Sequence, residues 1–133
     1  MIATLAGCAG VQESRDRAER EQRSNLYPDN YKADLLAFMR TYLNDPSNIR
    51  DAYVAEPELK SIGAQKRYAV CIRFDARNRD GRYVGSKEGL ALYSRGRLEQ
   101  FVEPPRDQSS DPVREQCKSA NYQRFPELET LNR

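Results

Sequence analysis

From Asn30 onward apolar side chains recur at helical spacing: Tyr31, Leu35, Phe38, Met39, Tyr42 and Leu43. Asp29 or Asn30 can cap this helix, and Asp45-Pro46 stops it. The period then changes to two. In RYAVCIRFDA, residues 67–76, Tyr68, Val70, Ile72 and Phe74 face one way, and Ala69, Cys71 and Arg73 the other. That alternation predicts a strand with one buried and one more exposed face. The run GLALYSRGRLEQFV breaks at Ser94-Arg95-Gly96-Arg97, which predicts a hairpin of Leu90 to Tyr93 with Leu98 to Val102. RNRDGR carries an Asp-Gly turn signal that joins the preceding strand to this pair, and DAYVAEP, residues 51–57, offers a first, shorter strand. The pattern predicts an α+β domain, with the helix packed on a small antiparallel meander of about four strands.

The last third is more broken. EPPRDQSSDP reads as loop from its prolines and serines, and a short helix from Val113 to Ser119 brings Cys117 back toward the sheet. Tyr122, Phe125, Leu128 and Leu131 follow at intervals of three, as a segment covering an edge of the domain. The other end is polar. In residues 11–25 only Val11 and Ala18 are apolar, while Glu13 to Arg17, Asp16 to Arg20 and Glu19 to Arg23 each set an acid four residues before a base. That spacing suits a solvated helix with no face to bury, and helix or coil alike makes it a tether of roughly 25 Å. The expected division is residues 9–27 as tether and 28–133 as one globular domain. After Cys8 no apolar run approaches the ~20 residues of a membrane span.

Composition removes more function classes than it suggests. A chain of 133 residues with 38% hydrophobic residues supports one core. It contains no histidine and no tryptophan, so the commonest general base and neutral metal ligand are missing. Gly-x-Ser-x-Gly, phosphate-loop, Cys-x-x-Cys and His-Glu-x-x-His patterns are all absent. VGSKEG, residues 84–89, has glycine, serine and lysine in the wrong order for a phosphate loop, lacks the upstream glycine, and reads as a strand entry. No enzyme, cofactor or metal site is expected. The competing reading is a small hydrolase or transferase using carboxylate or serine chemistry.

One short stretch carries an address. Leu5-Ala6-Gly7-Cys8 resembles the lipobox of bacterial lipoprotein precursors, where small residues precede a cysteine that is acylated and becomes the mature N-terminus. The resemblance implies that residues 1–8 are the remnant of a signal peptide, that Cys8 is the lipid attachment point, and that the natural start lies upstream. A secretory apolar region alone needs about 7 to 15 residues. Ala9 after the cysteine, rather than aspartate, suggests the outer membrane over the inner. The layout is similar to that of short, uncharacterised proteobacterial lipoproteins, and the expected place is the cell envelope, facing the periplasm. The three cysteines are odd in number, and acylating Cys8 leaves Cys71 and Cys117 to form a disulfide. Two unrelated buried thiols remain the alternative at this point.

Charge is uneven where the sheet is expected. The net charge is only +2, yet residues 66–97 hold nine Lys and Arg against three Asp and Glu, a local +6. Arg73, Arg77, Arg79, Arg82, Arg95 and Arg97 are the candidate contacts for an anionic partner, either an envelope protein or an anionic glycan or lipid. Nucleic acid is not expected for a chain held at a membrane. The plainer account of the same arginines is that they keep the outer face of a half-buried sheet wet.

Overall fold

The strand predicted around residues 67–76 is the axis of the molecule. The structure, a computed structural model, describes residues 12–20, 25–105 and 111–132. Helix α1 (residues 12–20) is exposed at every position, as its charge pattern requires. Helix α2 (Tyr31–Tyr42) is followed by strands β1 (Arg50–Val54), β2 (Glu58–Ile62), β3 (Gln65–Asp75), β4 (Lys87–Ser94) and β5 (Arg97–Val102). Helix α3 (Pro112–Cys117), strand β6 (Gln123–Arg124) and helix α4 (Pro126–Glu129) complete it.

The fold is α+β, but its sheet has six antiparallel strands rather than four, in the order β5-β4-β3-β1-β6 with β2 also paired to β3. The 11-residue β3 is long enough to pair with β2 through Gln65 to Ala69 and with β1 through Ile72 to Asp75. Strand β4 runs along its other side, and β6 returns from the C-terminal segment to pair with β1. The two additional strands carry weak signals. In ELKSI only Leu59 and Ile62 are apolar, and β6 is two residues long.

One sheet face holds the main core. Val70 and Ile72 of β3 and Ala91 and Tyr93 of β4 meet Leu35 and Met39 of α2, with Phe125, Leu128 and Leu131 closing the other side. The C-terminal segment thus covers the edge of β1 through β6 and also enters the core. Asn30 occupies the position before α2, but its side chain makes no capping hydrogen bond. Asp34 fastens α2 to β5, because its carboxylate accepts from the Leu98 amide at 3.1 Å and from the Arg97 Nε at 2.9 Å.

The opposite face was expected to be the more exposed one, and over half its length it is buried. Ala69, Cys71, Leu90 and Leu92 lie under α3, through Val113 and Cys117. A disulfide joins Cys71 to Cys117, with the α-carbons 5.7 Å apart. Pro112 in the first turn and Asp111, whose carboxylate accepts from the Arg114 amide at 3.0 Å, start this short helix. Covered on both sides, β4 reads Gly-Leu-Ala-Leu-Tyr without alternation, as a strand buried on both faces should.

Two local details fix the β4–β5 hairpin. Arg95 and Gly96 both have positive φ, 55° and 76°, as a two-residue type I′ connection needs. Gly89 is required for a different reason, because the tip of the Phe101 ring comes up against it. A β-carbon there would stand 2.2 Å from the ring, which itself packs on Phe38 and Tyr42 at 5.5 and 5.3 Å between centroids. Gly89→Ala is therefore expected to lower stability by about 1–3 kcal/mol, the usual cost of overpacking. A chemical denaturation midpoint measures it, and an unchanged midpoint would mean that the ring moves aside freely.

Candidate anionic-partner surface

The six arginines do not gather on one patch. Strand β4 separates the turn bearing Arg95 and Arg97 from the loop bearing Arg77, Arg79 and Arg82, and eight strand residues span roughly 25 Å. Arg73 lies between the two ends, half-buried on the continuation of the Cys71 face.

Two of the six are already neutralised. Arg97 pairs with Asp34, as described, and Arg77 pairs with Asp45 at 2.6 Å while also donating to the Ser47 hydroxyl at 3.1 Å. Its Nε is buried without a partner among the described residues, and its backbone forms an isolated bridge with Tyr83. Arg77 is thus part of the fold at that end of the sheet. The same end is held by buried Asp75, which accepts from the Arg50 Nε at 2.9 Å and the Gly85 amide at 3.1 Å, with the Arg50 guanidinium 3.7 Å above the Tyr83 ring.

Arg79, Arg82 and Arg95 are exposed. The loop under Arg79 and Arg82 is ordered by Asn78, whose side-chain oxygen accepts from the amides of Asp80 and Arg82 at 2.9 and 3.1 Å. Arg79 borders an open cleft of about 490 Å³ with Asn44, Asp45, Pro46, Ser47, Asn78 and Gly81. The hydroxyl and carboxylate of that cleft do not form a catalytic pair. The Ser47 amide and hydroxyl both donate to Asp45 Oδ1, at 3.0 and 2.6 Å, in a local turn. These bonds, and then Arg77, hold the Asp45 carboxyl below its ordinary range, which makes it a weaker base.

Arg73 is placed differently from the rest. Strand β1 is bulged between Arg50 and Tyr53, with Asp51 at φ 53°, and pairing resumes with Tyr53 opposite Arg73. Tyr53 also pairs with Arg124 of β6, and Arg73 pairs across to Glu88 of β4. The register therefore sets Arg124, Tyr53, Arg73 and Glu88 in one row across four strands. The Arg73 guanidinium sits 4.9 Å from the Tyr53 ring centre and 4.9 Å from that of Tyr122, while Arg124 lies 5.9 Å from Tyr53. The Tyr122 hydroxyl donates to Glu88 at 2.6 Å. Burial first, and then this hydrogen bond, pushes the Tyr122 hydroxyl well above its ordinary value, so it stays a donor.

Of this row only Arg73 stands out in the sequence as a candidate. Tyr53 sits in a short strand and Tyr122 in a segment read as cover. The one usable signal was Tyr53 at an outward position of a strand that pairs with a basic one. Cys8, the expected lipid site, lies outside the described residues. Among the described residues no helix is long and apolar enough to cross a membrane, and no three His, Cys, Asp or Glu side chains cluster as a metal site would. Compared with protein-family models, curated proteins and solved structures, the chain matches none, so the reading of this surface rests on its own geometry.

Proposed function

We propose that this chain is a lipid-anchored, non-enzymatic module of the cell envelope, facing the periplasm, which holds an acidic partner on its basic surface. The observation that carries this reading is the Cys71–Cys117 disulfide. Such bonds persist in oxidising compartments, and this one accounts for two of the three cysteines, leaving Cys8 for the acylation that Leu5-Ala6-Gly7-Cys8 suggests. The fully exposed α1 suits a spacer between lipid and domain. Ala9 favours the outer membrane. Among the described residues Arg73, Arg79, Arg82 and Arg95 pair with no acid, whereas Arg77 and Arg97 have theirs bound.

The test is metabolic labelling with a lipid precursor, in cells expressing the protein from its natural start. The wild type is expected to take the label and fractionate with membranes, and Cys8→Ser to lose both. Equal labelling of the two would overturn the reading. Reversal of Arg79 and Arg82 to glutamate should weaken partner capture most at low salt, because exposed charges are screened beyond about 10 Å at 0.1 M. Arg77 is left out of that variant, since its reversal would break the bond to Asp45.

A further inference from the structure

The row across β6, β1, β3 and β4 contains a cation that an acid within reach does not neutralise. Strand register puts Glu88 directly opposite Arg73, and charges so placed ordinarily pair. Here Glu88 takes its hydrogen bond from Tyr122 instead. Among the described residues no acceptor receives a hydrogen bond from the Arg73 guanidinium, which is held by two rings alone. An aromatic ring takes none of a guanidinium's N–H donors as an acid would, so the fork that matches a carboxylate is left to bind. Tyr53 and Tyr122, each with its ring centre 4.9 Å from the guanidinium, limit where the half-buried Arg73 side chain can go, which lowers the ordering cost of binding.

Charge and shape narrow what that ligand is. Arg73 and Arg124 against Glu88 give the row a net +1, which one carboxylate balances and a doubly charged phosphate does not. None of its residues borders either of the clefts at Asp45 or at Asp34. Small-molecule sites are lined mainly by apolar side chains, whereas a row of Tyr and Arg has the composition of protein-interface hot spots. We propose that Arg73 is the centre of a carboxylate-binding spot that receives one aspartate or glutamate side chain of a partner protein, with Tyr122 holding Glu88 away from it. This deepens the acidic-partner reading and takes from it only the sign of the partner's charge.

The full chain, labelled with nitrogen-15, is titrated with a capped tripeptide whose sole charge is one aspartate, with glucuronate and with inorganic phosphate, following the Arg73 Nε–H resonance. The peptide is expected to give a saturable shift that Arg73→Gln abolishes and Arg73→Lys weakens about tenfold, the size of one lost charged hydrogen bond. Two further variants leave Arg73 in place, and so serve even if its own substitutions fail to fold. Tyr122→Phe releases Glu88 to pair with Arg73 and should weaken binding; Glu88→Gln removes the competitor and should strengthen it. The proposal is overturned if no resonance shift occurs, if the two variants move the affinity in the same direction, or if phosphate or glucuronate binds more tightly than the peptide. A chain that fails the lipid labelling and passes here loses its envelope address but keeps this site; the reverse outcome keeps the address and loses the site.

Discussion

Without the Cys71–Cys117 bond, the protein is expected to lose roughly 4 kcal/mol of stability, the chain-entropy value for closing a 46-residue loop. For a domain of this size that corresponds to a fall in melting temperature of about 15 °C or more. That value comes from the freedom denied to the unfolded chain, and the bond also fastens a weak piece of the native fold. Helix α3 is six residues long, too short to persist alone, and its buried contacts are Val113 and Cys117. If it lifts away, Ala69, Leu90 and Leu92 lose their contacts with Val113 and Cys117 and become more exposed to water. Thermal melts of the wild type with and without reductant, and of the doubly substituted Cys71→Ala, Cys117→Ala chain, measure the effect. Superimposable curves would show that apolar contact alone keeps α3 on the sheet.

Phe125→Ala should be of similar size, about 3–5 kcal/mol, the usual range for emptying a buried aromatic site. The ring is fully buried among Leu128, Leu131 and the β1 core residues, and the Phe125 amide donates to the Ala52 carbonyl at 2.9 Å. Helix α4 has four residues and begins at Pro126, so its position depends on these anchors rather than on its own hydrogen bonds. The measurement is the denaturant midpoint. A loss below about 1 kcal/mol would return the C-terminal segment to the role of peripheral cover, far from the cost expected of a core aromatic.

The legible parts of this fold are those in which one segment's side chains have a single environment. Helix α2 presents one apolar face to one core, and so do Val70, Ile72 and Phe74 of β3, so the periods of 3.6 and 2 survive in the sequence. Arg95-Gly96 was legible because turn geometry is local. Strand β2 was not, since Lys60 and Ser61 hide its alternation, and β6 is too short to have a period. The second buried face depends on a helix more than 40 residues away in sequence. The same distance problem governs the site. Arg73 and Arg97 look alike as basic residues on or beside strands, and what separates them is Asp34, 63 residues from Arg97, and Tyr122, which reaches Glu88 from 34 residues away. Counting charge along the chain finds the cations, but only the assembled neighbours decide which of them are already paired.

The bond from the Leu98 amide to Asp34 has a consequence for the behaviour of many copies at once. An open sheet invites a foreign strand wherever a row of backbone donors and acceptors stands free. On the β5 side that row is interrupted by the α2 carboxylate, and Arg97 and Glu99 put opposite charges beside the break. At the other end β6 offers two residues, too few to template a ladder, and along β2 the Lys60 ammonium reaches the Gln116 carbonyl of α3 at 2.8 Å. Among the described residues each margin of the sheet is thus a poor template for a neighbour, which guards the domain against runaway stacking into aggregates.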